Sequence, residues 1–167
     1  MLRNRNIRGY ALIEFTMIGV PVIFLTISVI EAALAMWQFH SMSYAIETAA
    51  RYAVTHGRGC TQNGNTCSIT LGGLTTLIAR QAPVLDPSKL NVTLYTHSTT
   101  TACNPINSCL RSTTQFPDST DNGVNFDITI VATYPVSNPL PVFWPGSAAS
   151  GGAAFTLGAT TRQRIVF

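Results

Sequence analysis

The run from Arg8 to Phe39, RGYALIEFTMIGVPVIFLTISVIEAALAMWQF, constrains this chain more than any other stretch. No side chain from Phe15 to Ile30 carries a charge. Coiled as a helix, residues 10–39 would extend about 45 Å at roughly 1.5 Å per residue. That exceeds a hydrocarbon core of about 30 Å and leaves a stalk beyond it. Glu14 lies inside the apolar stretch. A carboxylate in a bilayer costs about 2.5–3.5 kcal/mol on insertion scales, so its position there is a functional signal. The plainer alternative places Glu14 close enough to the interface to reach lipid headgroups.

The net charge of +3 is a topological feature. Arg3, Arg5 and Arg8 all precede the apolar run, and setting them aside leaves 7 of the 10 basic residues against 7 acidic ones. The remainder is formally neutral, so it carries no nucleic-acid footprint. Arginines just before a span are retained on the cytoplasmic side, which predicts an inward N-terminus and export of residues 40–167. Charged residues make up only 10% of the chain, well below the usual quarter, which suits an extracytoplasmic, strand-bearing surface.

Cys60, Cys67, Cys103 and Cys109 all fall in the part expected to be exported, where disulfides persist. Four cysteines allow three pairings. Cys60–Cys67 with Cys103–Cys109 is favoured because it closes two short loops. Spacings of C-x6-C and C-x5-C do not match the usual zinc ligand pattern.

Beyond the apolar run, Ile46, Ala49, Ala50, Ala53 and Val54 recur at helical spacing and predict a stalk with one buried face. Glu47 and Arg51 form an i, i+4 pair in the favourable order. His56-Gly57-Arg58-Gly59 reads as a helix stop, with glycine supplying a left-handed cap. A second helix is expected over Ser68–Gln81, ended by Pro83 and weakened by Gly72-Gly73. Strands are expected over Leu90–His97, Val124–Tyr134 and Phe155–Ile165, from alternation of apolar and polar residues. Residues 98–123 read as a turn-rich connection stapled by Cys103 and Cys109, with Asp118 and Asp121 as solvated turn residues. Pro139, Pro141 and Pro145 exclude a central strand over 136–152, and Leu140, Val142, Phe143 and Trp144 form an apolar cluster there.

Gly9-Tyr10-Ala11-Leu12-Ile13-Glu14-Phe15 resembles prepilin sites in which cleavage follows Gly and Glu stands fifth in the mature chain. The following residues narrow the resemblance to TadE-like minor pilins of the tight-adherence (Tad/Flp) pilus. They supply RG-x-A-x-x-EF, Pro21 seven residues after Glu14, Glu31 seventeen after it, and Ala49-Ala50-Arg51 in the stalk. Leu34 stands where the family often has Arg, so no ion pair is carried over to that point. The resemblance covers about residues 8–57. It implies removal of residues 1–9 by a prepilin peptidase, with Gly9 and Tyr10 flanking the cut. The new amine on Tyr10 would then pair with Glu14, on the same or a neighbouring subunit, and set the register of assembly, with Phe15 as part of the motif. Pro21 is expected to kink the helix or free a carbonyl.

Catalytic patterns are missing from the sequence. His40, His56 and His97 lack metal-ligand spacing, and there is no HExxH, nucleophile elbow or phosphate-binding loop. No enzyme, cofactor or metal is expected. The expected architecture is α+β and pilin-like, in which a long N-terminal transmembrane helix packs its outer half on a small antiparallel β-sheet. Its divisions are a basic leader (1–9), a transmembrane helix (10–39), a helical stalk (40–57) and an extracytoplasmic α+β domain (58–167). By resemblance, the chain lies in the bacterial inner membrane, with its C-terminal domain periplasmic or extracellular and possible entry into the fibre. The implied partners are the prepilin peptidase, other pilin subunits, the inner-membrane assembly platform and the lipid bilayer. Rival readings are a type II secretion or other type IV minor pseudopilin, a membrane-anchored surface binding module such as an adhesin, and a product secreted after cleavage at Ala33-Leu34-Ala35.

Overall fold

The computed structural model describes residues 7–57, 60–62, 65–137 and 153–165. The apolar cluster at Leu140–Trp144 lies outside them. The chain divides into two compact units, Met1–Met36 and Trp37–Phe167. One helix, α1 (Ile7–Thr55), runs without interruption through Pro21 and across the boundary between the units.

In the first unit apolar side chains face outward all round α1. Leu12, Phe15, Met17, Ile18, Leu25 and Val29 are each more than 60% exposed. Only a lipid or protein surround removes such a surface from water. In the second unit α1 buries one stripe, formed by Met42, Ala45, Ile46, Ala49, Ala50 and Ala53. Alanine keeps helix propensity high and lets the backbone approach its neighbours closely. Full burial of a side chain such as Ile46 contributes roughly 1.5–3 kcal/mol. On the opposite face Arg51 donates to Glu47 in the i, i+4 pair.

The helix stops differently from the sequence expectation. Gly57 is not in the left-handed region; it lies close under the Asn122 side chain, whose Oδ1 would be 2.0 Å from a Cβ placed there. The last turn is closed by side chains instead: Thr55 Oγ1 donates to the carbonyls of Arg51 and Tyr52, and the ring of His56 stacks on that of Tyr52.

A disulfide between Cys60 and Cys67 closes the next loop and contains the two-residue strands β1 (Thr61–Gln62) and β2 (Asn65–Thr66). Helix α2 (Leu71–Gln81) begins three residues later than the periodicity predicts, because Thr70 is its N-cap. All four amide donors of its first turn are satisfied, as a helix start requires. Leu71 donates to the Thr114 carbonyl, Gly72 to Ser112, Gly73 to Thr70 Oγ1 and Leu74 to the Thr70 carbonyl. Gly72, read from the sequence as a weakness, is where this contact is closest. A Cβ on it would fall 2.6 Å from the Ser112 oxygen and 2.7 Å from that of Leu110.

The main sheet is antiparallel in the order β4-β3-β5-β6. Its strands are β3 (Asn91–Tyr95), β4 (Thr100–Cys103), β5 (Asp127–Ser137) and β6 (Ala153–Arg164). The register aligns Leu94 with Ile130 and Thr161, and Val92 with Ala132 and Ala159. Val92, Leu94, Ile128, Ile130 and Ala132 join the α1 stripe and Leu74 and Ile78 of α2 in one core. The architecture is therefore α+β, with a long apolar N-terminal helix and a four-stranded antiparallel sheet.

Three sequence boundaries move. β4 lies inside the stretch read as turns, at the sheet edge, with Cys103 its only buried residue. Cys103 is bonded to Cys109 across a short 3₁₀ turn, Ile106–Ser108. β5 starts at Asp127 rather than Val124, because Asn125 has φ 71° and the Phe126 amide turns back onto the Gly123 carbonyl. At its other end β5 continues through Pro135. That proline pairs only with Thr156 of β6, beyond the last β3 pairing at Thr133, so no ladder donor is missed on the β3 side.

Candidate functional site

Between Leu12 and Ile30 the only ionisable side chain is Glu14. It is exposed on α1, as is its neighbour Phe15 at 75%. The hydroxyls of this segment turn inward on their own helix. Thr16 donates to the Ile13 carbonyl at 2.9 Å, Thr26 to Val22 at 2.7 Å and Ser28 to Phe24 at 2.9 Å. Such back-bonding removes polar hydrogen from the helix surface and suits a lipid surround. Among the described residues Glu14 has no equivalent device, which makes its carboxylate the chemically conspicuous group of the segment.

Pro21 lies seven residues after Glu14 and Ser28 seven after that. Seven residues fall about 20° short of two full turns, so the three share one stripe of the helix. Glu31, seventeen residues from Glu14, falls about 100° away from that stripe. Pro21 contributes no amide, which leaves the Met17 carbonyl without its usual i+4 donor. Gly9 and Tyr10 are helical in backbone, near the start of α1. Among the described residues α1 is the one helix long and apolar enough to cross a membrane.

Residues 9–51 match the family model described as TadE-like protein. No curated protein and no solved structure matches the chain. The matched segment holds Glu14, Phe15, Pro21 and Glu31 and ends at Arg51, on the exposed face of the stalk. It supports a protein associated with the Tad pilus, whose TadE-like members are structural rather than catalytic. Other pilus components are the partners this implies, and the TadE-like segment fits a single-pass membrane anchor.

The second unit, Trp37–Phe167, holds a further cluster that sequence reasoning misread. Asp121 is not a solvated turn residue; it is 1% exposed. Its Oδ1 accepts from the Ser98 amide at 3.1 Å and the Ser98 hydroxyl at 2.7 Å. Its Oδ2 accepts from Thr99 Oγ1 at 2.6 Å and from Thr96 Oγ1. Burial pushes the carboxyl pKa up, but these donors outweigh it and hold the group far below the ordinary carboxylate range. Asp118, by contrast, is exposed and accepts from the Ser119 amide and hydroxyl. The Thr96-x-Ser98-Thr99 hydroxyl run was the available signal, but its carboxylate lies more than twenty residues away. Among the described residues no group of three or more His, Cys, Asp or Glu is placed to hold a metal ion.

Beside this hub, at one end of the sheet, Asp127 accepts from Arg162 Nη2 at 2.5 Å and Arg164 Nε at 3.1 Å. The two guanidinium hydrogen bonds, Arg162 first, hold its carboxyl below the usual range. The His97 ring stacks on Phe126 with centroids 4.3 Å apart and planes 8° from parallel. Asp127, Arg162, His97 and Phe126, with Tyr95 and Thr129, line an open depression of about 490 Å³.

Proposed function

We propose that the chain is a minor pilin or pseudopilin of a Tad-type pilus, held in the inner membrane with its N-terminus in the cytoplasm. The match of residues 9–51 carries this reading, because it falls on an apolar helix whose start bears the Gly9–Phe15 sequence. In this reading a prepilin peptidase cuts after Gly9. Tyr10 then becomes the N-terminal residue, and its ammonium lies four residues from Glu14. Opposite charges in a low-dielectric surround attract strongly, and an ammonium supplied by an adjacent subunit would satisfy a carboxylate that is otherwise costly in lipid. Glu14 would thus select the axial step at which each subunit joins. The exported unit, with its own core, favours a minor or initiating role over that of a small bulk subunit.

The N-terminal residue of the protein recovered from cells tests the reading. Tyr10 is the expected start; Met1 would favour an uncleaved anchor, and a start after Ala35 would favour secretion. Glu14→Ala is expected to leave membrane insertion intact and to reduce recovered surface pili severalfold. Unchanged piliation would remove the register role from Glu14.

A further inference from the structure

The depression at the end of the sheet is built with more care than a passive surface requires. Its rim comes from the β3–β4 turn, the segment before β5, and the end of β6. Asp121 ties Thr96, Ser98 and Thr99 into one fixed turn and so sets His97, which lies between them. Phe126, which receives the His97 ring, follows Asn125 at φ 71°, and Gly123 leaves room for its ring, since a Cβ there would come 2.9 Å from Phe126 Cε2. Backbone held in a sparsely populated region next to a surface cleft is a recurrent mark of binding sites. Tyr95, still 42% exposed, presents a ring beside this stack.

The polar groups alternate in character. Asp127 offers acceptor lone pairs beyond the two hydrogen bonds it receives, and Arg162, with its side chain 67% exposed, offers donors beyond the one given to Asp127. A carboxylate beside a guanidinium matches a vicinal diol, whose hydroxyls each donate and accept. An exposed aromatic ring matches the apolar C–H face of a pyranose, because such faces lose little on leaving water and gain dispersion contact over the whole ring. Residues 40–167 carry 7 basic against 5 acidic side chains, a modest excess, and the Asp127 carboxylate in the lining disfavours an anionic ligand.

We propose that this depression binds a neutral pyranose sugar, with Tyr95 as the stacking platform and Asp127 and Arg162 as the hydroxyl-reading pair. The site is independent of the pilus reading, since it lies wholly in the exported unit and needs no assembly.

The test uses the full chain in a zwitterionic detergent without a sugar headgroup. Methyl glycosides of glucose, galactose, mannose and N-acetylglucosamine are offered in saturation-transfer NMR, with glucuronate and acetate as anionic controls. At least one neutral glycoside should receive saturation through its ring C–H protons and bind in the millimolar range or tighter. Tyr95→Ala and Arg162→Ala should each weaken it at least tenfold, with the near-ultraviolet spectrum of the fold retained. Tyr95→Phe should keep most of the binding. Absence of binding by every neutral glycoside, binding of the anions alone, or equal binding by the Tyr95→Ala protein would each overturn the proposal.

Discussion

The two units of this chain solve opposite solvation problems with the same residue types. In the first, leucine, isoleucine and phenylalanine point outward, and a carboxylate, Glu14, stands among them on the surface. In the second, isoleucine, leucine and alanine point inward, and a carboxylate, Asp121, is enclosed with them. What differs is the partner supplied. Asp121 is surrounded by donors that its own chain folds around it, whereas Glu14 has none among the described side chains of its segment. A buried charge with a complete set of donors is a structural element; an exposed charge in an apolar field is one that awaits another molecule.

The contrast can be broken most sharply with isoleucine. Ile46→Ala, at a position 1% exposed, should destabilise the second unit by about 3 kcal/mol, the usual range for a core truncation. Ile30→Ala, at a position 54% exposed, should leave the urea midpoint of that unit unchanged to within about 0.5 kcal/mol. Equal effects at the two sites would show that the first unit carries a packed core of its own.

A smaller effect concerns the enclosed carboxylate. Asp121→Asn keeps the shape but removes charge from four hydrogen bonds, and should cost about 2 kcal/mol at neutral pH. Because the folded pKa is depressed, the stability contributed by ionised Asp121 is complete above the unfolded value of about 3.9. It is lost as pH falls through the folded value. The gap between wild type and Asp121→Asn should therefore be constant above about pH 5 and narrow steadily below about pH 4. Chemical denaturation across this range reads it, and a gap that widens in acid would contradict the assignment.

The smallest effect belongs to the outer surface of the stalk. Glu47→Gln removes an exposed i, i+4 pair with Arg51 and should cost about 0.3 kcal/mol, falling further in high salt.

Legibility followed the range of the interactions. The long apolar helix, the stalk stripe at Ile46, Ala49, Ala50 and Ala53, and the alternation from Ile128 to Tyr134 are periodic, local signals, and each marks a real element. The Glu14 motif is equally local. What could not be read depends on residues distant in sequence. Asp121 looks like any turn aspartate until the hydroxyls at Thr96, Ser98 and Thr99 fold over it. Gly72 and Gly57 look like helix breakers until Ser112, Leu110 and Asn122 arrive within reach of where a Cβ would stand. Val124 continues the alternation of β5 on paper, yet it is 55% exposed, because the left-handed Asn125 turns the chain before the strand begins. The short β4 has no apolar pattern of its own and exists through its pairing with β3.

Both disulfides join cysteines only seven and six positions apart. Neither ties the helix to the sheet or one end of the unit to the other. Each ring can close as soon as its own few residues are together, so correct pairing needs no choice among distant thiols. Under the export proposed above, the loops can therefore lock one after another, in the order in which they appear, before the last strand has crossed.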